Sequence, residues 1–213
     1  MLATEEFKLL GSSLLLIPVA LCLSAWMWAG NARRMAVTWA LLFTAGLALV
    51  AASKMAYIGW GMAVDAIHFR GISGHAMRST AVAPVLFYLL LHDARPGLRT
   101  AGILCGLGAG AVMAVAVSVF DEHSASEAVA GLLLGAAISL GFIRFAGEMR
   151  KPALDRPRVA SLSVCSVLAV AAAMSLDSDP SSVMLESAAL FLAGKDKPYH
   201  RHAPSTAQSP AGS

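Results

Sequence analysis

The stretch His68-Phe69-Arg70-Gly71-Ile72-Ser73-Gly74-His75-Ala76-Met77-Arg78-Ser79 is polar and glycine-punctuated, carries two histidines and two arginines, and lies between long apolar runs. Gly71 and Gly74 permit backbone shapes that other residues resist, and Ser73 is a natural helix N-cap. From His75 the sequence turns apolar again and stays so through Leu91. The segment therefore predicts a tight turn feeding a helix N-terminus. Such a terminus presents backbone N–H groups and the positive end of a dipole, which together suit a phosphate. A histidine one residue into that terminus is in position to hold or protonate the anion.

Outward from this stretch the chain is apolar. Hydrophobic residues make up 57% of its 213 residues and charged ones 14%, with a mean hydropathy of +0.68. A soluble domain would carry about 25% charge. The apolar residues also sit in long blocks rather than in amphipathic stripes. These features predict an all-α, polytopic membrane bundle of about six transmembrane helices, forming one domain. Cys22, Cys105 and Cys165 lie inside apolar blocks without metal-ligand spacing and read as buried free thiols. The net charge of +3 is too small and too dispersed for a nucleic-acid partner.

In chain order, residues 1–9 carry Glu5, Glu6 and Lys8, and residues 10–29 form a first apolar run. Its acidic lead and the terminal Trp26 and Trp28 favour an anchor over a cleaved signal peptide. A basic turn with Arg33 and Arg34 precedes a second span at 35–53, and Lys54 stands at its exit. Further spans are expected at 75–91, 100–120, 126–146 and 159–175. The glycine- and alanine-rich fifth suits close helix packing. Asp179-Pro180 then starts a short apolar helix ending near Gly194, too short to span and expected on the membrane surface or against the bundle. The expected organisation is thus a membrane domain over 1–175, a short amphipathic helix and polar tail over 176–202, and a disordered tail over 203–213.

Six spans place Arg33, Arg34, Arg95, Arg99, Arg144, Arg150, Lys151, Arg156 and Arg158 on one side, nine of the 16 basic residues. Only Asp93, Glu148 and Asp155, three of the 13 acidic residues, join them. The positive-inside rule makes that side cytoplasmic. The polar loops bearing the histidines then face outward.

On the outer face three polar clusters are expected to converge: Lys54, the Ser73-Gly74-His75 turn, and His123 with Glu127. Four residues apart at a helix start, His123 and Glu127 share a face. A carboxylate there can accept the imidazole Nδ1–H and leave Nε2 free as a nucleophile. Lys54 and the N–H groups near Gly74 can neutralise phosphate oxygens, with His75 as general acid. The blander reading of each signal is structural: Lys54 snorkelling at a span end, Ser-Gly-His as an ordinary helix start, His123–Glu127 as a surface pair. His68 and His92 read as interfacial residues without partners, His200 and His202 as solvated tail, and Asp121 and Glu122 as a solvated turn.

The order Lys54, then Ser73-Gly74-His75, then His123 with Glu127 resembles a divergent member of the type 2 phosphatidic acid phosphatase (lipid phosphate phosphatase) family, related to vanadium haloperoxidases. That family carries K-x6-R-P, P-S-G-H and S-R-x5-H-x3-D, and the resemblance covers about residues 35–146. It implies His75 as general acid, His123 as nucleophile, Glu127 as its orienting carboxylate, and Lys54, Ser73 and Gly74 as phosphate ligands. It further implies a phosphohistidine intermediate and an outward-facing membrane lipid substrate, namely a polyprenyl diphosphate, phosphatidylglycerol phosphate or phosphatidic acid. No metal or other cofactor is implied, and the implied location is a multi-pass protein of the bacterial cell membrane with its site outside. Departures are visible in the residues: Gly61 and Met62 replace Arg-Pro, Ile72 replaces proline, and Ala116 and Val117 replace Ser-Arg. Arg78, one turn after His75, is the first candidate to supply the missing charge, and Arg70 the second. The alternative is a non-catalytic relative that binds lipid phosphates or serves transport, and a third possibility is a bundle whose polar outer residues only pack.

Overall fold

The computed structural model describes residues 13–119, 124–149, 167, 171 and 180–194. Outside them lie the acidic lead, Asp121, Glu122 and His123, most of the 147–158 loop, Cys165, Asp179, His200, His202 and the tail. The expected sixth span is likewise outside, apart from two isolated helical positions, Val167 and Ala171.

The described residues form six α-helices and no strand, as the apolar blocks require: α1 (Ser13–Ala29), α2 (Arg33–Trp60), α3 (Gly74–Leu90), α4 (Pro96–Val119), α5 (Ala125–Ala146) and α6 (Pro180–Ala193). Three of them, α2, α4 and α5, are long and apolar enough to cross a membrane. Six such helices were expected. The described α1 and α3 are each 17 residues, and α6 is 14. Leu41 and Leu49 of α2, Leu104 and Val112 of α4, and Leu133 of α5 point away from the protein. Helices apolar on their outward faces as well as their inward ones belong in a hydrocarbon surround.

One boundary departs substantially from expectation. The second span was expected to end before Lys54, yet α2 continues through Lys54 to Trp60 and closes on Gly61 in the left-handed conformation, φ 70. Lysine is a good helix former, so a charge need not end a helix. The glycine does, because its φ suits the left-handed cap. The expected short helix is present as α6 from Pro180 to Ala193, followed by Gly194 at φ +63, while Asp179 lies outside the described residues. Of the two expected placements α6 takes the one against the bundle, packing on α2: a Cβ at Gly59 would sit 3.1 Å from that of Ala193. Cys22 is half-buried, and Cys105 is exposed on the outer face of α4, against the expectation of burial.

The centre of the bundle is α3, which packs most extensively against α4 and α5. The contact is made through two glycine pairs, each four residues apart. A Cβ at Gly106 would lie 2.5 Å from Pro84 N, and one at Gly110 would lie 2.3 Å from Thr80 Oγ1. From the other side, Cβ atoms at Gly131 and Gly135 would meet the carbonyl oxygens of Ser73 and Met77, each at 2.4 Å. No side chain fits in those gaps, so backbones touch, as small residues at i and i+4 allow within a membrane. The main apolar core joins α1, α2, α3 and α5. There Trp39 is fully buried, donates its indole N–H to Ala20 O at 3.0 Å, and packs against Phe43 and Phe142 at ring separations of 5.2 and 5.5 Å.

Gly135→Val should therefore lower stability by about 1–3 kcal/mol, the range for overpacked cores. Gly108→Ala should not, since a Cβ there meets nothing within 4 Å. Thermal unfolding of the two variants in detergent checks this; equal midpoints would mean that α3 and α5 are not held backbone to backbone.

Candidate functional site

Ser73 caps α3 as the sequence predicts. Its backbone is extended (φ −67, ψ 114), and its hydroxyl accepts from Ala76 N at 3.5 Å. Its carbonyl accepts from Met77 N, and its own N–H donates to Glu127 O, both at 3.1 Å. Ser73 is thus wholly buried and tied to the first turn of α5.

The loop before it folds back along α2. After Gly61 the chain makes an antiparallel bridge between Val64 and Phe69, closed by a short 3-10 turn (Asp65–Ile67) and by His68 in the left-handed region at φ 53. Ile72 N then donates to Ser53 Oγ at 3.0 Å. Gly71 takes φ +154, which side chains rarely adopt, and a Cβ there would sit 3.2 Å from Lys54 Cγ and 3.4 Å from Lys54 Cα. That close approach needs a glycine, and it sets Lys54 against the loop two residues before the Ser73 cap.

Arg78 is 7% exposed, and its guanidinium reaches back toward the start of its own helix. A Cβ on Gly74 would be 2.9 Å from Arg78 Nη1 and 3.5 Å from Cζ. Side chains on a helix lean toward its N-terminus, so an arginine one turn in naturally covers the first turn. The consequence is electrostatic: a fixed cation sits at the positive end of a helix dipole, where anions are favoured and cations are not. His75 lies between Gly74 and Ala76 at the same end, half-buried. Arg70 behaves otherwise. It is exposed and carries its guanidinium over the Tyr57 ring at 5.8 Å, not over the Ser73 turn.

Glu127 is 6% exposed, and both carboxylate oxygens are engaged. Oε1 accepts from Arg70 N at 2.7 Å, and Oε2 from Ser124 N at 3.3 Å. Glu127 N in turn donates to Ser124 Oγ at 3.4 Å, completing a capping box at the start of α5. Its expected partner His123 lies outside the described residues. Ser126 Oγ adds a bond of 2.8 Å to Ile67 O. The first turn of α5 therefore holds the loop at Ile67, Arg70 and Ser73.

The structure thus brings Lys54, Ser73, Gly74, His75, Arg78 and Glu127 to one end of the bundle and leaves the Arg70 guanidinium outside. Ser53, Ser126 and the Ser124–Glu127 box were not anticipated. The signal for the last was present, since Ser124-Ala125-Ser126-Glu127 has the S-x-x-E form of a capping box. His92, expected to lack partners, contacts Leu89 O through Nδ1 at 2.8 Å and Asp93 through Nε2 at 3.0 Å, at the opposite end. Among the described residues no group of three or more His, Cys, Asp or Glu side chains is placed to hold a metal ion.

Residues 63–151 match the PAP2 superfamily. The matched region contains the loop, α3, α4 and α5, and leaves Lys54 just outside. The chain is also similar to a protein of Klebsiella pneumoniae described as an uncharacterized 22.5 kDa protein in the cps region, with 40% identity over 134 residues. That alignment covers 62% of this chain and 64% of the relative, so the chain spans a little under two thirds of the relative's length. No solved structure matches.

Glu127→Ala would strip acceptors from two backbone N–H groups, each worth about 1–3 kcal/mol when left unsatisfied. Hydrogen exchange across residues 61–73 should accelerate in that variant. It should accelerate less in Glu127→Gln, whose side chain keeps a single carbonyl acceptor. Unchanged exchange in the alanine variant would show that Glu127 does not hold the loop.

Proposed function

We propose that the chain is a divergent PAP2-superfamily protein that hydrolyses a lipid phosphate or diphosphate at the extracytoplasmic face of a bacterial cell membrane. The observation that carries this reading is the Arg78 guanidinium folded over Gly74, beside His75 and at the positive end of α3. That arrangement concentrates positive charge where a phosphoryl group would be bound. The match over residues 63–151 supports the family assignment. The basic bias of the opposite loops supports the sidedness. The reading includes a six-span topology, with α1, α3 and the segment 159–175 crossing beside the three long helices.

In the proposed reaction, His123 Nε2 attacks phosphorus, the bond to the lipid oxygen or leaving phosphate breaks, and His75 donates a proton to the departing group. Water then attacks the phosphohistidine, with His75 accepting its proton, and inorganic phosphate leaves. Phosphoryl transfer spreads charge over the equatorial oxygens, so fixed donors and cations lower the barrier. Lys54, the N–H groups at the Ser73–His75 turn and Arg78 supply them, Arg78 in place of the family arginines replaced by Gly61 and Val117. Glu127 serves twice. Its carboxylate oxygens hold the loop, and their remaining lone pairs are available to the His123 Nδ1–H. The same geometry would serve a non-catalytic lipid-phosphate binder, and turnover separates the two.

Purified protein in detergent, with chelator present, should release phosphate from at least one of phosphatidic acid, phosphatidylglycerol phosphate and a polyprenyl diphosphate. Arg78→Ala should lower kcat/KM by about tenfold or more, equivalent to about 1.4 kcal/mol. Arg78→Lys should recover part of that loss, because a point charge does not replace a planar fork on two oxygens. His123→Ala should abolish turnover. Tight binding of a lipid phosphate without release would make the chain a binder, and full activity in Arg78→Ala would remove the charge-compensation account.

A further inference from the structure

Six large apolar side chains stand out from the end of the bundle that carries the site: Trp60, Met62, Val64 and Ile67 around the loop, and Phe191 and Leu192 on α6. Their exposures run from 51% for Val64 to 85% for Phe191. We propose that they form a rim inserted into the outer leaflet of the bilayer, which sets the site at the level of the lipid head groups.

The height of the rim follows from α2. Its 28 residues make a rod of about 42 Å at 1.5 Å per residue. Beginning at Arg33-Arg34 on one membrane surface, it reaches Trp60 near the other, since a bilayer is about 40–45 Å thick with its head groups. The loop does not continue into water. By Gly71 and Ile72 it has returned to Lys54 and Ser53, six to seven residues back down α2, or about 10 Å. Residues 62–69 therefore lie between the end of a membrane-spanning helix and a return point about two turns back along it, held at Ile67 by the first turn of α5. That is the depth at which amphipathic segments bury apolar faces, about 5–10 Å into the boundary.

The apolar display is built rather than left over. Val64 N donates to Phe69 O at 2.9 Å and Phe69 N to Val64 O at 3.1 Å, while Ser126 Oγ and the Glu127 carboxylate fix the loop at Ile67 and Arg70. α6 contributes at the same level. Ala189 and Ala193 face Gly59 one residue from Trp60, which leaves Phe191 and Leu192 on the outward side. Lipid is the occupant these features favour. The rim is continuous with the outward-facing side chains of α2, and Tyr57 with Arg70 above its ring supplies the aromatic-and-basic pairing of a head-group boundary. Large apolar side chains exposed in such number at one end of a protein mark an interaction surface. The consequence for substrate rests on the proposed function: a phosphate reaching the Ser73–Arg78 turn would arrive on a molecule anchored in the same leaflet. The insertion itself does not depend on catalysis.

Site-directed spin labelling tests it without any substrate. In full-length protein with Cys22, Cys105 and Cys165 replaced by serine, single cysteines are placed by Met62→Cys, Ile67→Cys, Phe191→Cys and, as a water-facing control, Gly97→Cys. The labelled proteins are reconstituted in phosphatidylethanolamine–phosphatidylglycerol vesicles, and collision with oxygen is compared with collision with a water-soluble nickel chelate. Oxygen should dominate at the three rim positions and nickel at the control. Nickel dominance at the rim would overturn the proposal. So would low collision with both reagents, which would mean that protein, a second copy of the chain included, covers the rim. Because three independent positions are read, misfolding of one labelled variant does not remove the test. Insertion without phosphatase activity would retire the enzymatic reading and leave the rim standing.

Discussion

Backbone contact between α3 and its two neighbours is the constraint on which the rest of the molecule depends. Gly106 and Gly110 on one side, and Gly131 and Gly135 on the other, let α4 and α5 approach α3 until Cβ atoms would collide with main-chain atoms. In lipid there is little hydrophobic gain in bringing apolar helices together, so association relies on such close packing and on polar links. Because α3 is held on both sides, the polar residues at its N-terminal end are held too. Gly131 packs against the Ser73 carbonyl, so the same contact that assembles the bundle sets the position of the helix cap.

Once α3 is fixed, the first turn of α5 becomes the clamp for everything around the site. Glu127 bonds through its main-chain carbonyl to Ser73 N, through one carboxylate oxygen to Arg70 N and through the other to Ser124 N. A buried carboxylate is costly unless its oxygens are satisfied, and here backbone N–H groups from two segments satisfy them. The negative charge also lies near a helix start, where the dipole favours it. Arg78 is the counter-case, a cation carried to the positive end of α3. Two neighbouring helix starts thus carry opposite charges, a carboxylate at α5 and a guanidinium at α3.

The loop between α2 and α3 ties these two regions to the end of α2. It turns at Gly61, closes on itself through Val64 and Phe69, and returns to Ser53 and Lys54. Its N–H groups at Arg70 and Ile72 and its carbonyl at Ile67 bond to α5 and α2, and Met62, Val64 and Ile67 are exposed. The Ser73–His75 turn is thereby held between the loop, α2 and the first turn of α5.

Much of this was legible in the residues. Long uncharged blocks mean helices in lipid, because a chain in hydrocarbon must satisfy its backbone internally. Ser73 before Gly74 meant a helix cap, Pro180 a helix start and Gly194 a stop, each for a local steric or hydrogen-bonding reason. Arg78 could be placed on the first-turn face because the lean of helical side chains is a local property as well. What the sequence could not decide were choices between two local options of similar merit. Glu127 forms the i, i+3 capping box that Ser124 allows, but its second oxygen takes the Arg70 N–H of a loop 57 residues away, a partner that no local pattern names. Arg70 was as free to fold over the turn as to lie on Tyr57 until the loop's path was known. Lys54 gave no sign that α2 continues to Trp60, because a lysine is equally at home at a helix end or along its side. Those outcomes are settled by which distant backbone group arrives first at a given side chain, and only the packed bundle specifies that.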